Sequence, residues 1–252
     1  IVNKVLLPLV LSPLAGFGVG FLIMWLIYWI FARVMRSKVN RIFRKMQLVS
    51  AAFMATSHGL NDAQKTMGII TLTLIAVGLQ PSGSGPQLWV IAVCGLAIAL
   101  GTYMGGWRVI RTLGKGLTEI ATPQGFAAEA SSATTILVSS HLGFALSTTQ
   151  VCSGSIIGSG LGKKGGAIDW KVAARMLIAW LVTFPAAGVI GAAACAVAKI
   201  NVWGTLAVVA IAVAAALIIF RLSRRNPVNA MNVNEGSEVK VNAKVATAAA
   251  AA

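Results

Sequence analysis

The sequence contains few acidic side chains. Asp and Glu together number 6, against 21 Lys and Arg, in a chain of 252 residues. Charged residues of both signs make up only 11% of the chain, whereas soluble domains carry about 25%. This scarcity of charge excludes an ordinary soluble protein. The net charge of +15 would suggest nucleic-acid binding in a soluble domain, but the placement of the basic residues, described below, argues against a nucleic-acid partner.

Cysteine and histidine are also scarce, with three Cys and two His in the chain. Cys94, Cys152 and Cys195 lie far apart, each within an apolar run. No pair has the spacing of metal ligands, so we interpret the three as small buried hydrophobic residues. The sequence therefore predicts no metal centre and no cofactor, apart from a possible site for Na⁺ that is discussed below.

Long apolar runs dominate the chain instead. Hydrophobic residues make up 57% of the sequence and the mean hydropathy is +0.82. Runs of this length predict an all-α integral membrane protein. We expect about five full spans between residues 1 and 225, which form the transmembrane domain: Val5–Ala32, Leu48–Leu79, Leu88–Trp107, Val172–Ala198 and Val202–Phe220. Residues 226–252 have little apolar mass and are predicted to be a disordered tail.

The basic residues predict the orientation of these spans. Most of the Lys and Arg residues fall in four short clusters between apolar runs: Arg33–Lys45, Arg108–Lys115, Lys163–Arg175 and Arg221–Arg225. We expect the first of these, Arg33–Lys45, to be a loop. Positive clusters beside membrane spans face the cytoplasm. We therefore expect all four clusters and the C-terminal tail to be cytoplasmic, the uncharged loop Gln80–Gln87 to face outward, and the protein to lie in the plasma (inner) membrane.

The stretch from residue 116 to residue 162 contains no Lys or Arg but has basic clusters at both ends. It must therefore leave the cytoplasmic side and return to it. Its second half, Ser131–Ser159, contains twelve Ser and Thr residues, which is too polar for two ordinary spans. We predict re-entrant or discontinuous helices here.

A polar stripe lies in the middle of the apolar segment Leu48–Leu79. His58, Asn61, Asp62 and Lys65 are spaced i, i+3, i+4 and i+7, which places them on one helix face. This face must contact protein or a water-filled cavity, because charge at the bilayer centre costs about 2.5–3.5 kcal/mol. The segment is long for one span, so we expect the helix to break near a glycine of the stripe.

Two kinds of ligand chemistry follow from these polar positions. Asn61 and Asp62 offer oxygens for a hard cation such as Na⁺, or a site for a proton. Hydroxyls and free N–H groups at the start of a half-helix suit an oxyanion. We accordingly predict an oxyanion site and, beside it, a cation-binding or site-lining group. The oxyanion site comprises Ser147, Thr148, Thr149 and Gln150, and the second group comprises Asn61, Asp62, Lys65 and Glu129.

Other interpretations of the same residues stay open. Asp62 and Lys65 form an i, i+3 pair that would also serve simply to lock helices together, and Ser and Thr in membrane helices often only join helices. An intramembrane hydrolase would use His58 or His141 with Asp62, but no nucleophile stands in an acid–base arrangement. Because this arrangement is missing, we predict that the protein is not an enzyme. A structural membrane subunit is a further alternative.

Two motifs resemble a known family. Gly59-Leu60-Asn61-Asp62-Ala63-Gln64-Lys65 resembles the Gly-x-Asn-Asp motif of the inorganic phosphate transporter family, in the form that bacterial members have in their second half. Leu146-Ser147-Thr148-Thr149 is similar to the Ser-Thr-Thr element of that family, although Gln150 stands where the family has His. Gly125-Phe126-Ala127-Ala128-Glu129 is similar to the segment that leads into this element. The resemblance covers residues 1–225.

The resemblance implies a secondary active transporter of inorganic phosphate by symport with Na⁺ or H⁺, with sulfate as an alternative substrate. The family is built from two inverted repeats that share one site near the membrane midplane. Only one copy of each motif is present here, and the chain begins with Ile rather than Met. We therefore expect a fragment that corresponds to the C-terminal repeat and works with an N-terminal repeat. A homodimer of the whole protein is one arrangement that the resemblance allows.

Overall fold

The regular secondary structure is entirely helical in the part of the chain that the computed structural model describes, which comprises residues 7–104, 106–144, 146–224, 228, 232 and 233. A single π-helical turn, Thr112–Gly116, interrupts the α-helices. The predicted tail, residues 226–252, lies outside the described residues apart from 228, 232 and 233. The α-helices are α1 (Leu7–Phe31), α2 (Arg36–Ala76), α3 (Leu88–Met104), α4 (Trp107–Arg111), α5 (Thr122–His141), α6 (Thr148–Leu161), α7 (Trp170–Ala198) and α8 (Val202–Ser223).

Glycines allow α1 and α6 to pack with their backbones in contact. Three glycines at intervals of four residues occupy one face of α6 and lie against three main-chain carbonyls of α1. A methyl group at Gly158, for example, would overlap the carbonyl of Phe17. The matched pairs are Gly154 with Pro13, Gly158 with Phe17 and Gly162 with Phe21. Both numbers rise together, so the two helices run parallel, and close packing of small residues holds them in the absence of a hydrophobic driving force in lipid.

α2 and α5 form a second parallel pair. The rings of Phe43 and Phe126 meet edge to face with their centroids 5.4 Å apart. Further along both helices, the Ser50 hydroxyl donates a hydrogen bond of 2.5 Å to Glu129. Met24 and Ile27 of α1 pack into the same apolar cluster as Phe43. The end of α1, the start of α2 and the start of α5 therefore meet at one end of the molecule.

α5 and α6 form a helical hairpin whose two ends lie together. The link between the two helices, residues 142–147, is its tip. At the base, the Thr118 hydroxyl donates to the Ala167 carbonyl over 2.8 Å, and the Asp169 N–H donates to the Leu117 carbonyl over 2.9 Å. α6 has 14 residues, or about 21 Å, which is shorter than the roughly 30 Å hydrocarbon core. A hairpin that starts and ends at the same end of the molecule has the shape that the sequence predicts for residues 116–162.

Three of the basic clusters gather at this same end. The first two clusters precede or include the starts of α2 and α5, which pack together. The third cluster adjoins the hairpin base and the start of α7. This end of the molecule is its basic face, and the side of the membrane on which it lies stays a prediction. The fourth cluster follows α8, which packs against α7.

Two local predictions are wrong. The helix does not break at Gly59 or Gly68, because α2 continues without interruption over 41 residues. No neighbouring atom lies within 4 Å of the position that a Cβ would occupy at either glycine. Neither glycine is therefore needed for close packing against another segment. The cluster Arg33–Lys45 is also not a loop, since α2 begins at Arg36. α2 is about 62 Å long in all, and its basic first ten residues, Arg36–Lys45, extend it by nearly three turns before the apolar segment.

The number of spans stays a prediction. Among the described residues, α1, α7 and α8 are long and apolar enough to cross a membrane, and α3 is a shorter apolar helix. α2 is longer than any of these, but its polar stripe and basic start lower its hydropathy. The all-helical, membrane-spanning class is confirmed.

Candidate functional site

Asp62 is the centre of a polar cluster on α2. The Lys65 ammonium lies 3.1 Å from its Oδ1, and the His58 Nε2 lies 3.5 Å from its Oδ2. All three side chains are partly exposed, Asp62 to 30%. The helical spacing therefore does place these residues on one face, as predicted. One carboxylate faces two basic groups from its own helix.

The tip of the hairpin joins this cluster. The Thr148 hydroxyl, at the start of α6, donates to both carboxylate oxygens of Asp62 at 3.2 and 3.4 Å. The Lys65 ammonium also donates to the main-chain carbonyl of Leu146 over 3.0 Å. The structure therefore brings together the two motifs that lie more than 80 residues apart in the sequence, through contacts of both side chain and backbone.

The N-terminus of α6 lies at this junction. Ser147 is the residue before the first turn, and its side chain makes no capping hydrogen bond. The first N–H groups of a helix have no intrahelical partner and form the positive end of the helix dipole. Thr148 and Gln150 are buried, while Thr149 is exposed. Free N–H donors and hydroxyls at one point suit an oxyanion.

Two buried amides beside this junction retain hydrogen-bonding capacity. The Nδ2 of Asn61 and the Oε1 of Gln150 have no hydrogen-bond partner among the described residues. A buried polar atom without a partner costs about 1–3 kcal/mol, so such atoms are rare and call for an explanation. Asn61 adjoins Asp62 on α2 and Gln150 lies in the first turn of α6. Both amides therefore belong to the region where the two motifs meet.

Glu129 lies apart from this cluster. It is half-buried between α2 and α5, where it accepts hydrogen bonds from Ser50 and Gln47. Ser50 and Asp62 are twelve residues apart on the same helix, or about 18 Å. The structure therefore does not bring Glu129 to Asp62, although the sequence groups them. Gln47, which also packs on Gly125, completes this separate polar contact.

The chain matches a known family over most of its length. A family model described as the phosphate transporter family matches residues 1–191. The chain belongs to this family. It is 48% identical over 241 residues to a probable low-affinity inorganic phosphate transporter of Mycobacterium leprae, covering 94% of this chain and 58% of that protein. It is 38% identical over 191 residues to a protein of the same description from Bacillus subtilis, covering 76% and 57% respectively.

A solved structure has the same fold. It is titled the sodium-dependent phosphate transporter, and its TM-score is 0.53 at 21% identity, over 73% of this chain and 57% of that one. The chain thus spans somewhat more than half the length of the relatives that it matches. The family resemblance drawn from the two motifs is confirmed. The relatives carry the names of transporters and permeases, which agrees with the prediction that this family member is not an enzyme.

The hydrolase alternative loses its geometric basis as well. His141 is exposed at the end of α5, and no contact joins it to Asp62 among the described residues. His58 does contact Asp62, but the neighbouring groups are an ammonium and a hydroxyl that already donates to the same carboxylate. No group of three or more His, Cys, Asp or Glu side chains that could hold a metal ion occurs in the part of the chain that the structure describes.

Sequence reasoning missed the Leu146 carbonyl as a partner of Lys65. A main-chain carbonyl has no signature in the sequence, because every residue has one. The only hint is the change from helix to polar link before Ser147, since carbonyls in an unwound segment lack helical partners. Ser50, the donor to Glu129, was likewise indistinguishable from other serines of the apolar segment.

Proposed function

We propose that this chain supplies one half of the substrate site of a secondary transporter for inorganic phosphate, driven by symport with Na⁺ or H⁺. The observation that carries the proposal is the contact between Thr148 and Asp62, because it unites the two family motifs in one cluster. Hydroxyl and N–H donors would bind phosphate oxygens, and the acidic residue would bind the coupling cation. An acid next to an anion site is reasonable only if a cation is bound together with the anion.

The donors at the start of α6 suit a cargo that must also be released. Phosphate loses water when it enters the membrane, so each oxygen needs a replacement donor. Ser147 and Thr149 provide neutral hydroxyl donors, and the unpartnered Nδ2 of Asn61 provides an N–H donor. Thr148 would provide a further donor if its proton turned from Asp62 to the phosphate, and Gln150 would add its side-chain amide. Neutral donors hold an anion less tightly than a cluster of arginines would, which favours release on the other side.

The remaining part of the site would come from a second, inverted repeat in the rest of the protein. Inverted repeats place broken helices from both halves at the midplane. The basic face of this half would then lie in the cytoplasm, with the C-terminal tail, in the plasma membrane. Half-exposed His58, Asp62 and Lys65 would line the shared cavity rather than contact lipid. A homodimer of the whole protein is compatible with this arrangement.

The test is uptake of radiolabelled phosphate by the full-length protein in proteoliposomes with imposed ion gradients. We expect saturable uptake that depends on a cation gradient, with no chemical change of the phosphate. Sulfate in the same assay tests the alternative substrate, and uptake of sulfate in preference to phosphate would reassign the cargo. Absence of uptake under every gradient would contradict the proposal and favour a structural subunit.

Thr148→Val should weaken phosphate binding about ten- to hundredfold. Valine keeps the shape of threonine but removes a hydroxyl at the junction, and a hydrogen bond to a charged group contributes about 1.5–3 kcal/mol. Calorimetric titration of the full-length protein measures the change. Thr73→Val is the matched control on α2, because this exposed hydroxyl bonds back to the Ile69 carbonyl of its own helix. Wild-type affinity in Thr148→Val would show that the hydroxyl only joins helices.

Cysteine labelling tests the orientation. We expect a membrane-impermeant thiol reagent added outside to modify Ser82→Cys, in the loop between α2 and α3, and not Ser37→Cys, in the basic start of α2. Both serines are exposed. The background should carry alanine in place of Cys94, Cys152 and Cys195, which are free thiols. Labelling of Ser37→Cys alone would reverse the proposed topology.

A further inference from the structure

Lys65 places an ammonium group among oxygens of a kind that bind metal cations. Its Nζ lies 3.1 Å from the Oδ1 of Asp62 and 3.0 Å from the carbonyl oxygen of Leu146. Hard cations are bound in proteins by carboxylate and carbonyl oxygens. In transporters with broken helices, carbonyls of the unwound segment coordinate Na⁺. Leu146 lies in the link between α5 and α6, so its carbonyl is of this kind.

The second oxygen of the Asp62 carboxylate is also engaged. Thr148 donates to it over 3.2 Å, and the His58 Nε2 lies 3.5 Å away. Among the described residues, every hydrogen bond and ion pair of Asp62 is therefore to a donor or a basic group. A Na⁺ ion at this carboxylate would have to displace Lys65 from both of its oxygen partners.

The local charge balance also disfavours binding of Na⁺ at Asp62. Lys65 neutralises Asp62, and no second carboxylate contacts this cluster among the described residues. Glu129 accepts a hydrogen bond from Ser50, which lies about 18 Å from Asp62 along α2, and Glu119 lies before α5, outside the cluster. A metal cation that entered beside the ammonium would meet like charge without a compensating carboxylate, which disfavours its binding.

We propose that Lys65 is a built-in cation that occupies the place of a coupling Na⁺, so that phosphate uptake by this protein does not use Na⁺ at Asp62. This inference rests on the proposed transport function and narrows its choice of coupling ion. Lys65 is then the residue that determines cation selectivity. The Lys65 ammonium holds the hairpin tip against α2, as a bound Na⁺ would. Unlike Na⁺, it does not bind and leave the site during the transport cycle.

The first test compares Na⁺ with choline as the external cation, using the full-length protein in proteoliposomes. We expect the wild-type protein to take up phosphate equally well with either cation. Lys65→Gln removes the charge and should open the oxygens to Na⁺. Na⁺ should then raise the phosphate affinity of this variant by about 5- to 150-fold, the usual range for coupling between two sites. Lys65→Arg and the exposed-residue control Lys164→Gln should both remain independent of Na⁺.

The second test needs no transport. Thermal unfolding of the purified protein is measured with increasing NaCl, against choline chloride at equal ionic strength. Na⁺ should raise the unfolding temperature of Lys65→Gln and of Lys65→Met but not that of the wild type, because only a bound ligand stabilises the folded state in this way.

The outcomes separate this inference from the proposed function. Wild-type uptake that requires Na⁺, or stabilisation of the wild type by Na⁺, overturns the role of Lys65 while leaving phosphate transport intact. A lack of response to Na⁺ in both neutral variants overturns it as well. Absence of phosphate uptake in the wild type under every gradient counts against the proposed function instead, and the unfolding experiment then still decides whether Lys65 excludes Na⁺.

Discussion

Asp62→Asn should abolish phosphate uptake by the full-length protein. The carboxylate accepts hydrogen bonds from Lys65 and Thr148 and faces His58, so it holds the hairpin tip to α2. Asparagine has nearly the same shape but no charge, and it leaves the Lys65 ammonium without its counter-ion. A single hydrogen bond to a charged group contributes about 1.5–3 kcal/mol. Because two such bonds are weakened together, we expect uptake to fall by at least about a hundredfold.

Uptake of labelled phosphate and the folded fraction in size-exclusion chromatography should be measured on the same preparation. Glu119→Gln is the matched control, since it removes one negative charge from an exposed position outside the cluster and should transport normally. A folded Asp62→Asn protein with wild-type uptake and unchanged cation dependence would reduce Asp62 to a structural residue. Loss of folding in Asp62→Asn alone would identify the ion pair as a helix lock.

Gly158→Ala should destabilise the protein strongly, although it adds only one methyl group. That methyl would overlap the Phe17 carbonyl of α1, and a main-chain atom in a helix cannot move aside as the end of a flexible side chain can. Overpacking of this kind costs about 1–3 kcal/mol, occasionally more. Gly158→Leu should prevent α1 and α6 from packing. Because α6 begins at Thr148, separation of these helices would also displace the hydroxyl from Asp62 and reduce phosphate affinity.

Thermal unfolding in detergent measures this effect. Gly188→Ala, on α7, is the control because no atom lies within 4 Å of the added methyl group. Alanine is a better helix former than glycine, so this control should be neutral or gain roughly 0.5–1 kcal/mol. Equal unfolding temperatures for Gly158→Ala and Gly188→Ala would mean that α1 and α6 do not depend on backbone contact for their packing.

Local patterns in the sequence predicted much of this architecture. Apolar runs predict helices of membrane-spanning length because each helix satisfies its own backbone in lipid. The hydroxyl-rich stretch after residue 116 predicts a short polar return, and α5 and α6 form such a hairpin. The spacing of His58, Asp62 and Lys65 predicts one face, since i, i+3 and i+4 neighbours meet on any α-helix. These features depend on residues within a few turns of one another.

The predicted helix break was wrong because a glycine in an apolar segment is compatible both with a break and with a continuous helix. Gly59 and Gly68 are compatible with a break, but an α-helix tolerates an isolated glycine at about 1 kcal/mol relative to alanine. Only the surroundings decide between the two, and here no neighbouring helix approaches either residue. The glycines of α6 have the opposite environment, since α1 packs directly on them. The sequence contains one signal of this difference: Gly154, Gly158 and Gly162 recur at every fourth residue, a pattern typical of closely packed membrane helices, whereas no glycine lies four residues from Gly59.

The sequence by itself determined the membrane class, the polar stripe and, through two motifs, the family. Tertiary structure alone decided that Thr148 donates to Asp62, that Lys65 reaches the Leu146 carbonyl, and that Glu129 bonds to Ser50, about 18 Å from Asp62 along α2. The physical reason is that composition and helical periodicity act over a few residues. A contact between residues more than 80 positions apart depends instead on how α1, α2, α5 and α6 pack together. The glycine-to-carbonyl contacts determine how closely α1 and α6 approach.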